Sequence, residues 1–185
     1  MKRLGWLLIL LVLTGCAGAA SGIERGMALR SRLLQADGCS FDAEVTADYG
    51  DKLYMFSLTC EADASGTIAF TVTEPESIAG ITGTVGKEGG RLTFEDTALQ
   101  FDLMADDQIS PVSAPWVFLK TLRSGYLTSA CEEDGFLRLT VDDSYEDDAL
   151  QLDIWLEDGD IPIRAEMLYD DRRIVSMDVK SFQLR

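Results

Sequence analysis

"SPVSAPWVFLKTLRSG", residues 110–125, is a helix-sized segment set between two long tracts that repeat every two residues. Ser113 suits an N-cap, Pro115 falls in the first turn where its missing N–H costs nothing, and Gly125 suits the left-handed residue that ends a helix. Val112, Trp116 and Leu119, with Phe118 and Leu122 beside them, form one apolar stripe at helical spacing. Lys120 and Arg123 stand near the C-terminal end, where the helix dipole favours cations. A lone amphipathic helix inserted among strands needs a sheet face to bury its stripe, and this need decides the fold class.

On the N-terminal side the period is two from residue 40. Strands are expected at 40–48, 52–61, 66–73, 79–86, 90–96 and 98–104, divided by Gly, Asp, Glu and Pro. In "GTIAFTVTEP" (66–75) Ile68, Phe70 and Val72 alternate with small or hydroxyl residues. After Gly125 the same period returns at 125–131, 136–143, 149–157, 161–169 and 172–183. "ALQLDIWLED" (149–158) puts Leu150, Leu152, Ile154 and Leu156 on one face and Gln151, Asp153, Trp155 and Glu157 on the other. Strands this closely spaced leave no room for crossover helices, so an antiparallel meander is implied. About eleven strands in one sheet must curl. The class expected is α+β: a strongly curved antiparallel sheet, an incomplete barrel, wrapped around the inserted helix and one N-terminal helix.

That N-terminal helix is expected over about 23–36, ended by Asp37-Gly38. Ser21-Gly22-Ile23-Glu24 reads as its capping box. Ile23, Met27, Leu29, Leu33 and Leu34 fall on one arc, with Arg30 inside it, where it snorkels or pairs with an acid.

Before the helix lies a different kind of segment. Lys2 and Arg3 precede a leucine-dominated run, Leu4–Leu13, which ends in Leu13-Thr14-Gly15-Cys16. A charged start, a short apolar core and a small-residue end describe a signal peptide. About ten apolar residues are too few to span the bilayer. Leu-Thr-Gly-Cys resembles the lipobox of bacterial lipoproteins, and the resemblance implies cleavage between Gly15 and Cys16, diacylation of the Cys16 thiol and an extracytoplasmic chain held at the cell membrane. The organisation expected is signal peptide 1–15, lipidated cysteine and flexible linker 16–22, and a single domain 23–185. Cleavage would remove two of the 16 basic residues and none of the 32 acidic ones, deepening the net charge from −16 to −18. Such a field repels phosphate backbones and anionic lipid surfaces, which excludes nucleic acid as a partner.

An exported chain meets oxidising conditions, and Cys39, Cys60 and Cys131 remain once Cys16 is used. A two-residue turn at Tyr49-Gly50 would pair Asp48 with Asp51 and set Cys39 directly opposite Cys60. A Cys39–Cys60 disulfide is therefore expected, with Cys131 a buried, inert thiol.

The order of a leading helix, strands, an inserted helix and further strands resembles the LolA/LolB superfamily of lipoprotein-localisation factors, including GerS-like lipoproteins of Gram-positive bacteria. The stretches "FTVTEPESIAGITGTV", "RLTFED", "SPVSAPWVFLKTLRSGYL" and "IPIRAEMLYDDRRIVSMDVKSFQL" carry the resemblance. It implies an incomplete barrel whose concave face holds acyl chains or hydrophobic partner segments. It also implies a lid at 114–124, with Trp116 and Leu119 turned to the cavity and Phe118, Phe70 and Phe94 among its lining. No position matches the lid-locking arginine of the carriers, so an anchored acceptor or scaffold fits better than a shuttle. Phe56, Phe70, Phe94, Phe101, Trp116 and Trp155 line such a cavity or else simply fill the core.

The chain has no histidine, which removes Ser-His and Cys-His nucleophile pairs and imidazole metal ligands. "GKEGG" (86–90) lacks the spacing of a phosphate-binding loop and reads as a hairpin turn. The acidic stretch 142–160 lacks the order of an EF-hand, and no carboxylate pair stands out. Neither enzyme, cofactor nor metal site is expected. Two functions are: a membrane-anchored scaffold or regulator of another envelope protein, and an acceptor of lipid or acyl chains. An open apolar cavity would mark the second, and a filled one is compatible with the first.

Overall fold

The computed structural model describes residues 15–95, 97–105, 108–146 and 149–185. The leader, residues 1–14, and the side chain of Cys16 lie outside this description. Helix α1 (Gly15–Gln35) leads into six strands: β1 (Gly38–Asp48), β2 (Leu53–Asp63), β3 (Ile68–Glu74), β4 (Thr82–Gly86), β5 (Gly89–Phe94) and β6 (Thr97–Phe101). A small ribbon of β7 (Met104–Ala105) and β8 (Gln108–Ile109) and a short 3₁₀ turn precede helix α2 (Ala114–Ser124). Five more strands follow: β9 (Tyr126–Glu133), β10 (Phe136–Asp142), β11 (Gln151–Glu157), β12 (Ile161–Tyr169) and β13 (Arg172–Leu184).

Eleven strands form one antiparallel sheet in the order β6-β5-β4-β3-β2-β1-β13-β12-β11-β10-β9. It is two meanders joined along β1 and β13, and it does not close into a barrel. The chain leaves the first meander at one edge, β6, and enters the second at the other, β9. The link between them has to cross the sheet, and α2 makes that crossing over the inner face with its apolar stripe toward the strands. The α+β class, the eleven strands and the two helices agree with the periodicity of the sequence.

Helix α1 begins at Gly15 rather than Ile23, so Ser21 and Glu24 lie within it and form no capping box at its start. Its buried side is also narrower than the apolar arc. Leu29 and Leu33 are buried, but Met27 and Leu34 are 48% and 52% exposed. The surface that meets the sheet runs along Gly22, Gly26, Leu29 and Leu33. A β-carbon at Gly22 would stand 2.8 Å from that of Ala130, and one at Gly26 would stand 2.9 Å from Leu139 Cδ1. The two glycines let the helix axis approach β9 and β10 closely. Arg30 pairs with no acid among the described residues: its Nε donates to the Leu122 carbonyl oxygen at 2.7 Å, closing the C-terminal turn of α2. Burial holds its pKa below the ordinary arginine value.

Helix α2 departs from expectation at both ends. Ser113 makes no capping bond, and its hydroxyl is buried without a partner among the described residues, as is that of Thr121. The turn Pro111–Ser113 leads straight into the helix and takes the place of a cap. Gly125 is extended, not left-handed. Glycine is needed there for space, because a β-carbon would lie 2.7 Å from the carbonyl oxygens of both Thr121 and Asp142.

The expected Cys39–Cys60 disulfide is absent, and both cysteines are free and buried. The turn after β1 holds four residues, closed by Tyr49 N–H donating to the Lys52 carbonyl, with Gly50 at φ +90°. Asp48 therefore pairs with Leu53, Cys39 with Ala62 and Phe41 with Cys60. A turn two residues longer slides β2 by two positions, which keeps both thiols facing inward but sets them diagonally, too far apart for the tight Cβ separation of a disulfide. Cys131 is exposed on β9 rather than buried, opposite Arg138.

Candidate functional site

The inner face of the sheet is where a cavity would lie, and among the described residues its central part, beneath α2, is packed. Phe118, Leu119 and Leu122 of α2 are buried, as are Phe41, Leu58, Ile68, Phe70 and Val72 of the facing strands. Phe118 meets Phe41 edge to face, with centroids 5.9 Å apart, and Phe182 leans on the other side of Phe41 at 5.8 Å. Of the lid and cavity residues expected from the sequence, Phe118, Leu119 and Phe70 are therefore core. Trp116 is half-buried against that core. Burial of each such side chain contributes about 2 kcal/mol.

Phe94 stands apart from the others, 46% exposed on β5. The pairing Gly90–Phe101, Leu92–Leu99 and Phe94–Thr97 puts Leu92, Phe94, Leu99 and Phe101 on the inner side of the last two strands. Phe101 lies over Gly90, where a β-carbon would be 2.1 Å from its ring. Leu99 is 61% exposed. Nothing in the sequence sets Leu99 apart: its strand is regular, and only its place at the sheet edge leaves it uncovered.

The outer face carries two polar arrangements. Thr59, Thr71, Thr82 and Thr93 pair directly across four successive strands. With Glu61, Ala69, Thr84 and Arg91 they line a shallow groove of about 480 Å³. On the second meander, Asp153 is almost wholly buried. It accepts from Arg138 Nη2 and Thr140 Oγ1, each at 2.8 Å. Trp155 Nε1 donates to Glu133 at 2.9 Å, and the guanidinium groups of Arg138 and Arg164 lie 5.6 and 5.1 Å from its ring centre. Trp155 is thus an outer-face residue tied into ion pairs, not a cavity residue.

Burial pushes the Cys39 thiol up to about 11 and the Cys60 thiol higher still. Both stay protonated at neutral pH and are poor nucleophiles.

No family model matches the chain, and no curated protein matches it. Among solved structures it is similar to an uncharacterized conserved protein from Thermus thermophilus, at 10% identity and TM-score 0.48 over 89% of this chain and 88% of that one. It is similar to the LolA superfamily protein NE2245 from Nitrosomonas europaea, at 11% identity and TM-score 0.43 over 91% and 94%. A further similar structure is the Mycobacterium tuberculosis lipoprotein LppX, at 15% identity and TM-score 0.42 over 86% and 91%.

Proposed function

We propose that this protein is an extracytoplasmic lipoprotein, anchored through Cys16, that scaffolds or regulates another envelope protein and carries out no chemistry of its own. The observation that supports this reading is the close packing of the inner face beneath α2. Phe70, Phe118 and Leu119, which an acyl-binding cavity would need as lining, are spent on the core. A chain bound there would first have to displace α2 and its burial energy. The protonated thiols and the lack of histidine are in keeping with a binding role.

Native mass spectrometry of residues 17–185, made in a lipid-containing host and purified without detergent, tests the reading. The expected result is a mass without adduct that persists after incubation with phospholipid vesicles. A reproducible added mass, lost on denaturation and identified as fatty acid or phospholipid, would overturn it in favour of an acyl-chain acceptor.

A further inference from the structure

We infer that the free edge of β6 is a docking site for one extended segment of a partner protein, rich in alternating apolar residues and flanked by lysine or arginine. This rests on the scaffold reading and names the surface it would use. The sheet has two edges. β9 ends in Glu132-Glu133, charged positions that discourage pairing with another strand. β6 reads Thr97-Ala98-Leu99-Gln100-Phe101 and carries no charge and no proline.

Its backbone is set for pairing. Phe94 and Thr97 close a two-residue hairpin connection with each other, so they form a hydrogen-bonded pair. Alternation along the ladder makes Leu92–Leu99 and Gly90–Phe101 hydrogen-bonded too. Ala98 and Gln100 therefore direct their N–H and C=O groups away from β5, toward an added strand. Leu99 and Phe94, both largely exposed on the inner side, offer apolar contact to every second side chain of that strand.

Charge selects the occupant. Glu95 and Asp102 stand at the two ends of β6, and Lys87 and Glu88 in the neighbouring turn cancel. Arg91 is one strand further in, on the outer face opposite Gln100. A second copy of this chain brings a net charge of −16 and the same acidic ends, so self-pairing sets like charges together. A segment with basic flanks meets both acids.

The test uses the lipid-free chain 17–185 with two synthetic probes, each alternating valine and threonine, one between paired lysines and one between paired glutamates. The expected result is that the lysine-flanked peptide binds, the glutamate-flanked one does not, and hydrogen exchange slows at the Ala98 and Gln100 amides. Gln100→Pro, which removes an outward N–H at an edge where proline is tolerated, is expected to abolish binding with unchanged circular dichroism. Leu99→Glu is expected to do the same without touching the backbone. Equal binding of both peptides, protection elsewhere, or binding indifferent to both substitutions would overturn the proposal. So would a dimer in sedimentation that Gln100→Pro disperses. If the peptide fails but the full-length protein still co-purifies with an envelope protein, the β6 site is wrong and the scaffold reading stands. A lipid adduct in the mass measurement removes the scaffold reading whatever the peptide does.

Discussion

Cys39 and Cys60 show how much a single residue's surroundings decide. They face the core on adjacent strands, and a raised thiol pKa is a statement about stability. The folded chain holds these protons more tightly than the unfolded one. Their contribution is fully present below the ordinary thiol value of 9.0 and is lost as pH rises through about 11 for Cys39 and beyond for Cys60. Each contributes a slope of up to about 1.4 kcal/mol per pH unit in that window. Denaturant midpoints taken from pH 8 to 11 are expected to fall more steeply for the parent than for the Cys39→Ala, Cys60→Ala double variant. Parallel curves would show that the thiols are not held protonated by the fold. In the same samples at neutral pH, a maleimide is expected to label Cys131 at once and the other two only on unfolding. Thr121 offers the opposite case, a buried hydroxyl without a partner on α2. Thr121→Val keeps the shape and removes the unsatisfied group, so thermal unfolding is expected to show a gain of about 1 kcal/mol. A loss of that size would mean the hydroxyl has a partner after all.

At the scale of elements, α1 is held against the sheet by what it lacks. Gly22 faces the β-carbon of Ala130, and Gly26 faces the side-chain tips of Leu127 and Leu139, which would have to shift for any larger residue. Gly26→Leu improves helix propensity by about 1 kcal/mol, yet it is expected to destabilise the fold by about 1 to 3 kcal/mol because the helix must lift off β9 and β10. Equilibrium unfolding of this variant checks it, and unchanged stability would mean that α1 docks loosely. The same contact explains what was hidden in the sequence. An apolar arc counts large side chains, so it placed Met27 and Leu34 inward and overlooked two glycines. The strands are plain by contrast, since over 150–157 every inward position is Leu or Ile and the outward ones are Gln, Asp, Trp and Glu. Register was not plain. It hangs on whether the turn between Asp48 and Leu53 holds two residues or four, a choice made by local backbone geometry at Gly50 rather than by either strand's pattern. The fate of the site residues was less legible still. Phe70 and Phe94 carry the same alternating signal, and they part only because one strand is central and the other is next to an edge.

For the molecule as a whole, the net charge opposes the membrane anchor proposed at Cys16, and this opposition makes that proposal testable. The chain carries 32 acidic residues against 16 basic ones, and anionic headgroups repel such a domain. No helix among the described residues is long and apolar enough to cross a membrane. If the lipid on Cys16 alone holds the protein, Cys16→Ser behind a cleavable secretory leader in place of residues 1–15 is expected to move it from the membrane pellet to the soluble fraction in cell fractionation. Salt distinguishes this from a domain that adheres by itself. Basic patches on a surface bind anionic lipid more strongly as ionic strength falls, because screening over about 10 Å at 0.1 M is relaxed. Here the sign is reversed, so washing the Cys16→Ser membranes in low-salt buffer is expected to release the protein at least as completely as high salt. Retention that grows as salt is lowered would show a cationic surface the net charge conceals, and retention independent of salt would show an apolar surface seated in the bilayer. In either event Cys16 would not be the anchor that confines this domain. Release at every ionic strength would leave the acyl chains as the force that keeps so acidic a domain at the membrane.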